Sequence, residues 1–294
     1  MANMPAAEVP IDEALVTRLL REQHPDLAHL PVHTLSNGWD NAVFRLGSDF
    51  VVRLPRREIA VQLLRNEQLF LPQIAELTSL PVPVPLRIGR PGAHFPWPWT
   101  IGPWFAGRPA IDSAPSEHCG LVGQLAEFVI ALHRPAAADA PQNPVRGVPL
   151  RRRDRAFRHR METLDTAHSA QIIAVWEEVL EIPDWQSDPV WINGDRHAAN
   201  ILVQQQRISA IIDFCDMAGG DPAVDLAAGW ILFDAEARSR FEQEVGAALG
   251  PDPALWQRAR GWALNLGTAL LANSDDNPQF RALGDHVVNA VLAD

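Results

Sequence analysis

The chain contains no tyrosine and no lysine; its 25 basic residues are all arginine. A cation needed to grip a phosphate is therefore an arginine here, and a guanidinium can hold phosphate bidentately. Basic charge in general is scarce. The formal charge of −11 argues against nucleic acid and anionic membrane surfaces, whose binding needs basic patches, and leans toward a cationic small substrate. Cysteine is nearly absent as well: Cys119 and Cys215 cannot build a metal array or a disulfide framework. No apolar run approaches the roughly 20 residues that span a bilayer. The first ten residues lack both a basic start and a long apolar core, so no signal peptide is expected and the cytoplasm is the expected compartment. At 294 residues the chain suits one two-lobed enzyme better than two unrelated domains.

What is present is concentrated between Trp191 and Ala227. Asp195 follows the apolar Val190-Trp191-Ile192 and precedes Asn200 by five positions, and Asp213 ends the apolar run Ile208 to Ile212. Ile201-Leu202-Val203 and Ile208 to Ile212, joined by the polar Gln204-Gln205-Gln206-Arg207, have the signature of a hairpin. Such a hairpin would bring Asp195, Asn200 and Asp213 onto one loop cluster. Phosphoryl transfer needs that set: a carboxylate to orient the acceptor hydroxyl, and an amide oxygen and a second carboxylate to hold Mg²⁺ on the phosphates. The plainer alternative is a turn, an edge strand and a loop-capping aspartate.

The segment resembles the aminoglycoside phosphotransferase family of small-molecule kinases, whose usual form is His-Gly-Asp-Leu-His-x-x-Asn, Ile-Asp-Phe/Trp and Asp-Pro-x-x-Asp-Leu-Ala. Here it runs Asn193-Gly194-Asp195-Arg196-His197-Ala198-Ala199-Asn200, Ile212-Asp213-Phe214 and Asp221-Pro222-Ala223-Val224-Asp225-Leu226-Ala227. Asn193 stands for a bracing histidine and Arg196 for an apolar residue. The resemblance implies an α+β, two-lobed protein-kinase-like fold, with a nucleotide-binding lobe over residues 1–105 carrying a small antiparallel sheet. A larger, mainly helical catalytic and substrate-binding lobe would follow over residues 106–294. It also implies Mg²⁺ held by Asn200 and Asp213, ATP or GTP as donor, Asp195 as the catalytic carboxylate, and His197 beside the γ-phosphate.

In the first lobe, Asp12 to Gln23 has helical spacing of Leu15, Val16, Leu19 and Leu20 behind a capping Asp12. Two strands around Ser36-Asn37-Gly38 follow, a loop that by the resemblance lies over the nucleotide phosphates with its N–H groups as an anion nest. Phe50 to Pro55 alternates as a strand and puts Arg53 where the resemblance places a phosphate-gripping lysine, with Glu67 of the helix Arg57 to Phe70 as its partner. Trp99 to Phe105 reads as the last strand before Ala106-Gly107. Aligning that glycine with the family's hinge gives the Pro103 carbonyl and the Phe105 N–H to adenine. For each of these, an ordinary turn, surface ion pair or strand end is the competing expectation.

In the second lobe, helices are expected over Gly120 to His133, Gln171 to Leu180, Ala235 to Leu249, Pro253 to Ala272 and Gln279 to Leu292. Arg151-Arg152-Arg153-Asp154-Arg155 and Arg160 form the densest basic run, read either as a solvated helix face or as an acid-binding patch. Asp221 and Asp225 are expected to open and cap the helix into Trp230-Ile231-Leu232-Phe233, and by the resemblance to brace the site more than to react. On the acceptor side, Asp234, Asp275 and Asp276 are candidates for substrate amines, and Trp230 and Trp262 for an apolar ring. The reading is a kinase of a small hydroxylated, potentially cationic molecule, an antibiotic such as an aminoglycoside or macrolide being the first guess. A metabolic kinase of an amino alcohol or sugar, or a catalytically idle nucleotide-binding protein, remains open, as does the oligomeric state.

Overall fold

A computed structural model describes residues 5–250 and 252–294. The chain divides into two compact units, one running through Glu76 and then Pro81–Ala106, the other comprising Leu77–Leu80 and Gly107 onward.

The first unit opens with α1 (Glu13–Gln23), capped by the Asp12 carboxylate, which accepts the Leu15 N–H at 2.7 Å. β1 (Val32–Asn37), β2 (Asn41–Leu46) and β3 (Phe50–Pro55) form an antiparallel meander. α2 (Glu58–Leu77) follows, and the sheet is completed by β4 (Arg87–Gly89) and β5 (Trp99–Pro103) in the order β1-β2-β3-β5-β4. β5 is interior and short β4 takes the edge, consistent with the proline-rich sequence on either side of β4, since proline cannot donate to a ladder. Leu15, Val16, Leu19 and Leu20 bury one face of α1 among Phe44, Leu46, Val52, Leu54, Trp99 and Ile101 of the sheet. α2 runs a full turn and more past the expected Phe70, accommodating Pro72 within it. The apolar stripe Leu64, Phe70, Leu71 and Ile74 explains why tertiary burial outweighs the proline.

The second unit is mainly helical. β6 (Arg108–Pro109) leads through short 3₁₀ turns to α3 (Val122–Leu132), α4 (Asp154–Thr163) and α5 (Ser169–Leu180). β7 (Val190–Ile192), β8 (Ile201–Gln204), β9 (Arg207–Ile211) and β10 (Ala218–Gly220) follow as short pairs, β7 with β10 and β8 between β6 and β9. Gln205 and Gln206 turn the β8–β9 hairpin with φ of 51° and 58°, the two left-handed residues of a tight turn whose twist matches the strands. α6 (Ala223–Leu226), α7 (Ala228–Leu232), α8 (Ala235–Leu249), α9 (Pro253–Asn273) and α10 (Pro278–Leu292) close the chain. α9 is the axis of the unit, packing against α4, α5, α6, α7 and α10. Its crossing with α10 is close because Gly267 faces Gly284: a Cβ on Gly284 would lie 3.0 Å from the Gly267 carbonyl oxygen. Among the described residues no helix is long and apolar enough to cross a membrane.

Candidate active site

The loop between β7 and β8 carries Asp195, His197 and Asn200, and Asp213 lies just past the end of β9. Gly194 opens the loop with φ of 83°, and a Cβ there would lie 2.7 Å from the Asp216 carbonyl oxygen, so only glycine passes without strain. The Ile212 N–H donates to the Asn200 carbonyl at 2.9 Å, which ties the loop to the strand leading into Asp213. Asn193, in place of the bracing histidine, does the bracing itself. Its amide donates to the Asp213 carbonyl at 2.9 Å, and its side-chain oxygen accepts the Asp195 N–H at 3.2 Å. Asp213 has φ of 62°, unusual for a residue with a side chain, and its carboxylate offsets the cost by accepting the Cys215 N–H at 3.1 Å.

Asn200 donates its amide N–H to the Asp195 carbonyl at 2.9 Å, which fixes the side chain and commits its nitrogen rather than its oxygen. The donor set on offer is one amide oxygen and one carboxylate, hard oxygens of the kind Mg²⁺ selects, so the residues fit that ion.

The Asp195 carboxylate lies 3.4 Å from His197 Nε2 through one oxygen and 3.2 Å from Arg146 Nη2 through the other. Burial pushes its pKa up, but His197 and Arg146 more than reverse this and hold it well below the usual carboxylate range. His197 moves the other way. Burial lowers it and the Asp195 carboxylate raises it, with a net rise. The Ala199 N–H donates to Nδ1 at 3.2 Å, so the neutral ring carries its proton on Nε2, toward Asp195.

Arg146 was not legible as a site residue. It arrives from a loop fixed by Asn143, whose side-chain oxygen accepts the Val145 and Arg146 N–H groups while its amide donates to Asp216. The guanidinium bridges Asp195 and Asp216, at 3.2 Å to each. Burial disfavours its charge, but the two carboxylates raise its pKa. Burial also raises Asp216, against the pull of Arg146. The local signal was the Asn143-Pro144-Val145-Arg146-Gly147 turn; its proximity to Asp195 is purely tertiary.

Beneath the loop lies Asp225, fully buried. It was expected to cap a helix and to brace the site; it sits inside α6 and braces the loop, accepting the N–H groups of Asn193 and Gly194, both at 2.9 Å. It also pairs with Arg196 at 3.1 Å and with His133 at 3.3 Å. Arg196 takes an apolar position by laying its guanidinium 4.5 Å from the Phe128 ring centroid and its charge against Asp225. Asp221 accepts the Ala223 N–H and forms a buried pair with Arg258 of α9 at 2.8 Å.

In the first unit, Arg53 of β3 pairs with Glu67 of α2 at 2.9 Å, and Glu67 is only 2% exposed. Ser36 and Asn37 end β1, and the Gly38 N–H donates to the Asn41 carbonyl, closing the turn, while Arg56 donates to the Gly38 carbonyl at 2.8 Å. Pro103 ends β5 opposite Phe50, with half-buried Phe105 just beyond it.

The acceptor-side candidates are not brought to Asp195 as a group. Trp230 and Trp262 are buried in the core, Trp230 donating its indole N–H to Asp294 at 3.2 Å. Asp234 caps α8 by accepting the Ala237 N–H. Asp275, paired with Arg281 at 3.6 Å, and Asp276 are exposed in the turn before α10. The first turn of that helix does reach the loop, the Phe280 ring standing edge-on to His197 at 5.5 Å.

Comparison with known proteins follows the same lines. The profile of the phosphotransferase enzyme family matches residues 31–262. Among solved structures, the GDP complex of wild-type aminoglycoside 2'-phosphotransferase-IIIa is similar with a TM-score of 0.72 at 19% identity, covering 96% of this chain and 99% of that one. Macrolide 2'-phosphotransferase MphH from Brachybacterium faecium matches with a TM-score of 0.62 at 22% identity, over 95% of this chain and 98% of that one. A thermostable mutant of aminoglycoside phosphotransferase APH(4)-Ia, in a ternary complex with AMP-PNP and hygromycin B, matches with a TM-score of 0.61 at 21% identity, over 95% and 98%. No curated protein sequence matches. The family profile spans most of the sequence, and the chain belongs to the phosphotransferase enzyme family.

Proposed function

We propose that the protein transfers the γ-phosphoryl group of ATP or GTP to a hydroxyl of a small molecule, with Asp195 as the carboxylate that orients the hydroxyl and takes up its proton. The observation that carries this reading is the wiring of one loop: Asp195, Asn200 and Asp213 are tied together by the Asn193, Asn200 and Ile212 hydrogen bonds. Asn200 and Asp213 hold Mg²⁺, which when bound neutralises charge on the phosphates. His197 donates through Nε2 and steadies the Asp195 carboxylate for the incoming hydroxyl. A carboxylate held this far toward its ionised form is a weak base. That suits a reaction in which positioning and charge neutralisation supply most of the acceleration.

In the first unit, Arg53, braced by Glu67, is assigned to the nucleotide phosphates, with the Ser36–Gly38 turn as further donors and Pro103 and Phe105 as the adenine-facing backbone. An antibiotic is the first acceptor class to test, since the similar solved structures include kanamycin, streptomycin and hygromycin B complexes. The deciding experiment pairs nucleotide binding with turnover. Mg·ATP or Mg·GTP should raise the melting temperature of wild type and of Asp195→Asn alike, and only wild type should consume nucleotide with an acceptor. Undiminished kcat in Asp195→Ala would refute the assignment, and binding without consumption on a broad acceptor panel would favour an idle nucleotide-binding protein.

A further inference from the structure

The Asp195 backbone is fixed from both sides, its N–H on the Asn193 side-chain oxygen at 3.2 Å and its carbonyl on the Asn200 amide at 2.9 Å. The loop does not fix the side chain to the same degree. It supplies one partner, His197, at 3.4 Å, to a carboxylate that is 26% exposed and free to turn about its own bonds. The second partner comes from outside the loop. Arg146 Nη2 holds Oδ1 at 3.2 Å, so the two oxygens are gripped separately, Oδ2 by the histidine and Oδ1 by the guanidinium.

Arg146 is itself locked in place. Its Nε donates to Asp216 Oδ2 at 3.2 Å, and the other Asp216 oxygen accepts the Asn143 amide at 2.8 Å. The Asn143 side-chain oxygen accepts the Val145 and Arg146 N–H groups at 2.9 and 3.0 Å, which closes a ring from Asn143 through Asp216 to Arg146. Gly147 then turns the chain with φ of 61°; its carbonyl accepts the Asp221 N–H at 2.9 Å, and a Cβ there would lie 2.3 Å from Ile192 Cδ1. The turn thus seats against the ends of β7 and β10. It seats against the catalytic loop as well, since a Cβ on Gly194 would lie 3.3 Å from Arg146 Cβ. An arginine held this way gives up little further freedom when it grips a carboxylate, unlike an arginine in an exposed pair.

We propose that Arg146 is a positioning residue for phosphoryl transfer, acting through Asp195 and set in place by Asp216 and Asn143. This rests on the phosphotransferase reading and deepens it. In that reading Asp195 stands beside an anionic phosphoryl group, which repels a carboxylate free to rotate; a guanidinium behind Oδ1 opposes the repulsion and fixes the plane of the carboxylate. The acceptor hydroxyl can then loosen the His197 contact while Arg146 keeps its own oxygen. Asp216 gives the guanidinium a second anchor. Nε and Nη2 lie on one edge of a planar group, so holding Nε at Asp216 aims Nη2 at Asp195.

The test compares wild type with Arg146→Ala, Arg146→Lys, Asp216→Asn and Arg155→Gln, the last removing an exposed arginine of α4 as a control for charge. Melting temperature is followed with and without Mg·AMP-PNP. Consumption of Mg·ATP and Mg·GTP is followed with aminoglycosides, macrolides, amino alcohols and sugars, and kcat and KM are determined with the best acceptor. The expected result is a nucleotide-induced shift kept in every variant and a kcat about 10- to 100-fold lower in Arg146→Ala, with the KM for nucleotide unchanged. Arg146→Lys, which keeps the charge without the fork, and Asp216→Asn should lose less, and Arg155→Gln should match wild type. In an Asp195→Asn background, removing Arg146 should lower the residual turnover no further, because Arg146 acts only through that carboxylate. Should Arg146→Ala fail to fold, Arg146→Lys and Asp216→Asn carry the same split of kcat from KM. A residue that merely holds the fold would lower the melting temperature without that split, and its loss would add to that of Asp195→Asn; either result overturns the proposal. A wild type that consumes no nucleotide with any acceptor overturns the phosphotransferase reading and this proposal with it. A wild type that does, matched in kcat by Arg146→Ala, overturns the positioning role alone.

Discussion

Two aspartates on either side of the same loop meet arginine and histidine, and they are built for different ends. Asp225, beneath the loop, has every oxygen committed: two backbone N–H groups, Arg196 and His133 converge on it, and it is fully buried. Asp195, above the loop, has a side chain 26% exposed and holds Arg146 and His197 at 3.2 and 3.4 Å, lengths at which a charge is felt but a hydrogen bond is loose. Both carboxyl groups are held below the ordinary range, Asp225 because Arg196 and His133 overcome its burial. The same direction of shift thus accompanies opposite roles. What separates them is whether an incoming group can displace a partner without opening the core, and only Asp195 offers that.

The sharpest way to break the comparison is to remove each carboxylate in turn. Asp195→Asn should lower nucleotide turnover with acceptor by about 10²- to 10⁴-fold while the Mg·nucleotide melting shift persists, because an amide cannot take up the proton. Asp225→Asn should instead act on folding, costing about 3–5 kcal/mol by urea denaturation, since Arg196 is left buried and uncompensated. The sign of its pH dependence follows from the depressed pKa. The carboxylate contributes fully above the unfolded value of about 4, and that contribution is lost as pH falls from there toward the folded value. Wild type should therefore lose stability on the acid side over that window, and Asp225→Asn should lack this part of the slope. An Asp225→Asn protein that melts like wild type but fails to turn over would merge the two roles.

The sequence made the convergence of the loop residues readable because their spacing is local. Asp195 and Asn200 are five apart, Asp213 ends an apolar run, and the helices that bury one face announce themselves by period, as Leu15, Val16, Leu19 and Leu20 do in α1. The antiparallel sheet followed by a helical unit was expected from the family resemblance, while single strands such as Phe50 to Pro55 were legible by their alternation. Charge at apolar positions was not readable. Arg196 looked like a misfit until Phe128 and Asp225 surrounded it, and α4 has Phe157 as its one buried residue among the described positions, which leaves no periodic trace. Arg146 was hidden for a different reason, since a residue 49 positions from its partner can be matched to it only through the fold. Trp230 and Trp262 were offered to a substrate and turned out to be core, the ordinary fate of aromatics at helical spacing.

A third arginine–carboxylate pair extends the contrast to the first unit. Arg53 is 16% exposed and Glu67 2%, so the pair resembles Asp195 in being open on one side only. Arg53→Met should raise the KM for nucleotide roughly ten- to hundredfold, the cost of one charge-assisted contact to phosphate. Arg53→Lys should recover part of it, by steady-state kinetics at saturating acceptor. Recovery by lysine would mean that charge matters more at this strand than the fork of the guanidinium.

The smallest effect belongs to a pair whose distance is short. Arg158 lies 2.8 Å from Asp154 one turn earlier on α4, yet its side chain is 47% exposed, so water and salt already satisfy most of what the pair offers. Arg158→Ala should cost under about 1 kcal/mol and lose even that in high salt. Asp154→Ala should cost more, about 1–3 kcal/mol, because Asp154 also accepts the indole N–H of buried Trp176 at 2.8 Å, and that donor has no replacement once the stack with Phe157 closes over it. Equal costs for the two substitutions would mean that the ion pair, and not the buried N–H, anchors α4. The inward face bearing Phe157 would then be held by a contact that salt can dissolve.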